Sequence, residues 1–71
     1  MTSQAFVHAW LPYLEIEEDV EHYAYFLGLK DFGIVSGRSR VKAIANATDR
    51  LRSWTADRLL RNQPLTWPEH K

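Results

Sequence analysis

Pro12-Tyr-Leu-Glu-Ile-Glu-Glu-Asp-Val-Glu-His-Tyr-Ala-Tyr-Phe-Leu-Gly28 is the stretch on which the reading of this chain turns, because it joins two segments whose patterns are plainer. Within it Ile16, Val20, Tyr23, Ala24 and Leu27 recur at the three-four spacing of a helix face. Pro12 suits a first helical turn, and Glu15, Glu17, Glu18 and Asp19 then fall near the positive N-terminal end of the helix, where acids are favoured. Gly28 stands where a helix would terminate. The stretch therefore reads as a helix beginning near Pro12, with Glu18, Glu21, His22 and Tyr25 on its outer side.

Upstream, Thr2 or Ser3 can cap a short helix whose apolar positions are Phe6, Val7, Trp10, Leu11 and Leu14. Pro12 disfavours helical geometry at Leu11, which sets a break or kink there. Downstream, residues 29–37 contain two glycines and the apolar trio Phe32, Ile34 and Val35, and read as an ordered loop with buried anchors. Ser36 or Ser39 can then cap the longest helix, from about Arg38 or Arg40 to Arg61 or Asn62, before Pro64 stops it. On it Val41, Ile44, Ala45, Ala47, Thr48, Leu51, Trp54, Thr55 and Leu59 sweep an arc wider than the roughly 100° needed for one packing surface. A second copy of the chain is expected to cover the excess.

The expected fold is thus all-α: a small three-helix or helical-hairpin domain over residues 1–62 with a long C-terminal helix, forming a homodimeric helical bundle, and a tail over 63–71. The 71 residues leave room for one core. A core of that size supplies only about 3 to 5 kcal/mol without a disulfide, metal or partner, and there is no cysteine. No apolar run approaches the roughly 18 residues of a membrane span. The opening Met-Thr-Ser-Gln lacks the basic stretch and apolar block of a signal peptide, so the expected location is cytoplasmic, with no membrane partner.

The net charge of zero conceals a split. Residues 1–35 carry Glu15, Glu17, Glu18, Asp19, Glu21 and Asp31 against Lys30, whereas residues 36–71 carry eight bases against Asp49, Asp57 and Glu69, so the halves are minus five and plus five. Opposite faces can neutralise each other within a monomer or dimer, or can steer partners of opposite sign. The first of these is the simpler expectation.

Catalytic patterns are absent: there is no nucleophile elbow, and three glycines make neither a phosphate loop nor a dinucleotide fingerprint. Glu18 and His22, four apart on the expected helix with Asp19 beside them, have a spacing that can offer two ligands to one metal. They lie opposite the apolar face, however, and read as solvated. No catalytic residue, metal or cofactor is expected. Ser36-Gly37-Arg38-Ser39-Arg40-Val41-Lys42 is the sharpest local feature, because bases near a helix N-terminus oppose the helix dipole and point to an anionic partner. Ser36, Arg38, Ser39, Arg40 and Lys42 are the candidate phosphate-binding set. Ala24 to Leu29 has the small residue four before a turn glycine seen in a helix-turn-helix. Gly33 and Gly37 then fall where a recognition helix would run.

The function expected from the sequence is a small non-enzymatic protein-binding regulator or adaptor acting through charged and aromatic helix surfaces. Its partners are itself, as a homodimer, and another protein. Aromatic side chains anchor interfaces, and the candidates are His22, Tyr25, Trp54 and Trp67. The last of these lies in a tail that either folds back over the core or docks on another protein. The alternative is a nucleic-acid-binding regulator using the basic N-terminal end and face of the last helix.

Overall fold

The computed structural model describes residues 3–29 and 31–68, and the fold is α+β, with two α-helices and one three-stranded antiparallel sheet. Helix α1, Ser3–Trp10, runs into a 3-10 turn at Leu11–Tyr13 with Pro12 in its first turn. The break expected there is present, whereas the cap assigned to Thr2 lies outside the described residues. Strands β1 (Glu15–Glu18), β2 (His22–Tyr25) and β3 (Val35–Gly37) follow, and helix α2, Arg40–Leu60, closes the chain's regular structure.

The all-α reading, and with it the helical bundle, is overturned by the stretch from Pro12 to Gly28, which is a β-hairpin. Glu15 pairs with Tyr25, Ile16 with Ala24, Glu17 with Tyr23 and Glu18 with His22. A helix would have buried Val20 and Leu27 beside Ile16, but Val20 is 94% exposed in the β1–β2 turn and Leu27 is 78% exposed after β2. The extended form instead sends Ile16, Ala24 and Phe26 to one side and Glu15, Glu17, Tyr23 and Tyr25 to the other, at the period of two that a strand requires. The turn is closed by the Asp19 amide, which donates to the Glu21 carbonyl at 2.8 Å. The expected loop over 29–37 is also part strand: β3 pairs with β2 through His22–Gly37, Tyr23–Ser36 and Ala24–Val35. Of its three apolar anchors Phe32 is buried, Val35 is half-buried and Ile34 is 68% exposed.

Helix α2 starts where Ser39, in extended geometry, accepts a hydrogen bond from the Lys42 amide on its Oγ at 3.1 Å. At the other end Asn62 adopts a left-handed φ of 55°, and the amides of Asn62 and Gln63 donate to the carbonyls of Leu59 and Arg58. That pattern satisfies carbonyls the helix would otherwise leave open. The wide apolar arc expected on α2 is narrower in the structure. Ala43, Ala47, Leu51 and Thr55 form the buried stripe, while Val41 is 78% exposed and Leu59 is 43% exposed. The sheet and α1 suffice to cover it, so the argument for a dimer from excess apolar arc falls away.

The core has two parts. At the C-terminal half of α2 its Leu51 packs with Phe6, Val7, Trp10, Phe26, Leu29 and Phe32, with Trp54 and Leu65 packed against them. At its N-terminal half Ala43 and Ala47 of the helix meet Ala24 of β2 in a thin layer. Small residues are needed there because the helix and β3 nearly touch: a Cβ on Gly37 would overlap the main chain of Lys42 and Ala43. Gly33, with φ of 81°, makes the left-handed turn between Phe32 and β3. Among the described residues no helix is long and apolar enough to cross a membrane.

Candidate functional site

Helix α2 covers one side of the sheet, the side of Ile16, Ala24 and Val35. Neither helix packs on the other. There the central strand presents Tyr23 and Tyr25, both half-buried, beside Glu15 and Glu17 of β1 and Ser36 of β3. The Tyr25 hydroxyl donates to Glu17 Oε1 at 2.9 Å, a diagonal cross-strand contact. The carboxylate that accepts this bond raises the Tyr25 hydroxyl above its usual 10.0, helped by slight desolvation and by the charges of Glu17 and Glu15.

Both edges of this sheet carry features that disfavour a further strand. On β1 the acids Glu15, Glu17 and Glu18 guard the edge, since charged side chains discourage pairing with another chain. On β3 the Asn46 amide donates to the Ser36 carbonyl at 2.9 Å, taking a main-chain acceptor on the edge strand.

The bases divide into two groups. Arg50 donates through Nε to the Phe32 carbonyl at 2.8 Å and lies over the Phe32 ring. Arg58 bonds to Asp31 at 2.8 Å with its guanidinium 4.4 Å from the Trp54 ring centroid. Arg52 and Arg61 pair with Asp49 and Asp57 within α2. By contrast Arg38, Arg40 and Lys42 are exposed, and among the described residues their side chains have no ion pair or hydrogen bond. The hairpin acids therefore do not neutralise the basic end of α2. Their polar side-chain contacts are Glu17 with Tyr25 and Glu18 with His22, the latter at 3.6 Å.

The residues singled out in the sequence are dispersed. Tyr25 is on the open face. His22 is on the opposite side, half-buried under α2, with its Nδ1 buried and unpartnered. Glu18 and His22 are thus cross-strand partners and not helix neighbours, and among the described residues no group of three His, Asp or Glu side chains could hold a metal ion. Trp54 and Trp67 meet at Phe6, stacked at 6.0 Å and edge-on at 5.1 Å. The tail folds back to them, held by Trp10 Nε1 donating to the Thr66 carbonyl at 2.8 Å. Of the phosphate-binding set, Ser39 spends its Oγ on the helix cap, while the side chains of Ser36, Arg38, Arg40 and Lys42 are exposed and have no partner among the described residues.

Two grooves mark the surface of the described residues. One, of about 510 Å³ between α1 and α2, is lined by Gln4, Val7, His8, Leu11, Arg52 and Ala56. The other, of about 330 Å³, has Trp54, Arg58 and Asp31 in its wall, and these are already engaged with one another. Neither holds a nucleophile with a base beside it. Glu15, Glu17, Tyr23 and Ser36 are the surface residues that sequence reasoning did not assemble. The signal for them was the alternation Leu14-Glu15-Ile16-Glu17 and Tyr23-Ala24-Tyr25-Phe26, which a helical reading scatters around a cylinder. No family model, curated protein or solved structure matches the chain.

Proposed function

We propose that this chain is a small non-catalytic protein-binding regulator or adaptor, and that its partner seats on the open face of the sheet. The observation that carries the reading is the pair Tyr23 and Tyr25, held beside Glu15 and Glu17 on a face that neither helix covers. Aromatic side chains are enriched at protein interfaces and supply large contact area at little entropic cost. The adjacent carboxylates argue against a nucleic-acid stacking platform, since such platforms combine aromatic rings with positive charge. A cytoplasmic location belongs to the same proposal and is checked by cell fractionation.

Site-specific photocrosslinking in cells tests it. A benzoylphenylalanine at Ser36, on the open face, is expected to capture protein, and the same probe at Ser53, exposed on α2, is expected to capture far less. Equal capture at both positions, or none at Ser36, would overturn the reading. A second reading, nucleic-acid binding, is favoured by one observation only: the three unpaired cations Arg38, Arg40 and Lys42 at one corner. Anisotropy of labelled duplex DNA and single-stranded RNA decides it. Binding that falls steeply with salt and vanishes on changing all three residues to Ala would make that reading primary.

A further inference from the structure

We infer that the open face takes a second copy of this chain, related to the first by a two-fold axis running along β2. The inference rests on the reading of that face as an interaction surface and adds its occupant. Its starting point is the unpaired charge of each sign. Glu15 and Glu17 stand on one side of the face with no basic partner among the described residues, and Arg38 and Arg40 follow β3 on the other side with no acidic one.

A basic segment of another protein would satisfy the acids and leave the bases open, and a nucleic acid would satisfy the bases and be repelled by the acids. A second copy meets both at once, and the chain's net charge of zero removes any bulk repulsion between copies. The topology gives this contact a closed form. Strands β1 and β3 run parallel to each other on either side of β2, and Glu18 and Gly37 share His22 as a register partner, so they lie at the same end of the sheet. Half a turn about an axis along β2 exchanges the two edges and keeps the ends in place. Arg38 of each copy, two residues beyond Ser36, then comes within side-chain reach of Glu17 of the other, twice by symmetry, while Glu18 points to the α2 side where it meets His22. Tyr23 and Tyr25, on the central strand, meet their counterparts near the axis, at the slight rotation of aligned sheets.

The face is only about 10 Å across its three strands and about 14 Å along four residues. Each partner in a standard interface buries roughly 800 Å². The dimer is accordingly weak, driven by charge, and dependent on concentration and salt.

Sedimentation equilibrium on the full chain tests this with two charge-reversed variants, Glu15→Arg with Glu17→Arg, and Arg38→Glu with Arg40→Glu. Circular dichroism melts confirm that both are folded. The unaltered chain at high micromolar concentration and about 0.02 M salt is expected to move from 8.3 kDa toward twice that mass, and to return to 8.3 kDa at about 0.5 M salt, where exposed charges are screened. Each variant alone is expected to self-associate at least ~10-fold more weakly, and an equimolar mixture of the two to recover the dimer, because every contact in the mixture is again between opposite signs. A monomer under all conditions overturns the dimer and leaves the open-face reading to its crosslinking test. A dimer that survives both reversals, or a mixture that does not associate, overturns this arrangement. If Tyr23→Ala with Tyr25→Ala also leaves that dimer intact, the face is not the self-contact.

Discussion

The two halves of α2 use their charge differently. Toward the C-terminus every arginine has an intramolecular partner: Arg50 on Phe32, Arg52 on Asp49, Arg58 on Asp31 and Trp54, Arg61 on Asp57. At the N-terminus Arg38, Arg40 and Lys42 are exposed and without a side-chain partner among the described residues. The packing beneath them differs in the same sense. Large aromatic rings fill the space under the C-terminal half, and alanines and Gly37 bring the N-terminal half close against the sheet. One half of the helix is thus built to hold the fold, and the other, pinned by close contact, carries charge that the fold does not use. Counting bases along a sequence does not separate the two.

The contrast is broken most severely from beneath. Phe6 is fully buried and touches Trp10, Trp54 and Trp67 with its ring. Phe6→Ala is expected to cost about 3 to 5 kcal/mol, comparable to the whole stability of a domain this small, and thermal melting should show it largely unfolded. Under the other half the damage comes from adding an atom. Gly37→Ala forces α2 away from β3 and is expected to cost about 1 to 3 kcal/mol by overpacking. An unchanged melting temperature would mean that the helix is not held against the strand as described.

Smaller effects sharpen the comparison. Arg58→Ala removes a partly exposed ion pair and a cation–π contact and is expected to lower stability by about 1 kcal/mol, measured by urea denaturation. Arg38→Ala, Arg40→Ala and Lys42→Ala together should leave stability unchanged or raise it by a few tenths of a kcal/mol, because bases at a helix N-terminus oppose its dipole. A loss for the triple variant as large as that for Arg58→Ala would erase the distinction between the halves. The finest effect is at Tyr25. Its raised hydroxyl pKa means that the bond to Glu17 supports the fold below pH 10.0 and is lost as pH climbs through the raised value. Glu17→Gln should move the Tyr25 titration down toward 10.0 in tyrosine-labelled NMR spectra, and no movement would place the hydroxyl elsewhere.

How much of this was legible depended on how much chain each element offered the eye. Helix α2 spans 21 residues, and its Ser39 cap and stop before Pro64 follow from local chemistry, as does the break at Pro12. The hairpin was hidden for two physical reasons. Strands of four residues place only two side chains on each face, too few to separate a period of two from a period of 3.6. The turn at Asp19, Val20 and Glu21 also lacks the glycine or Asn-Gly pair that marks most tight hairpins. Val20 and Leu27, both exposed, then completed a helical spacing by coincidence. The charge split was visible in the sequence, but its arrangement on opposite sides of one sheet face needed the strand order. Tyr25 was singled out, whereas Tyr23, assigned to a helix core, and the acids Glu15 and Glu17 join it only once the strands are paired.

The most direct test of self-association through the open face is a set of amide correlation spectra of the labelled chain from low to high micromolar concentration at low salt. Concentration-dependent shifts confined to Glu15, Glu17, Tyr23, Tyr25, Ser36 and Arg38 are the expected result. Shifts that fall instead on the outer side of α2 or in the groove between α1 and α2, or spectra that do not change with concentration, would contradict self-association through this face.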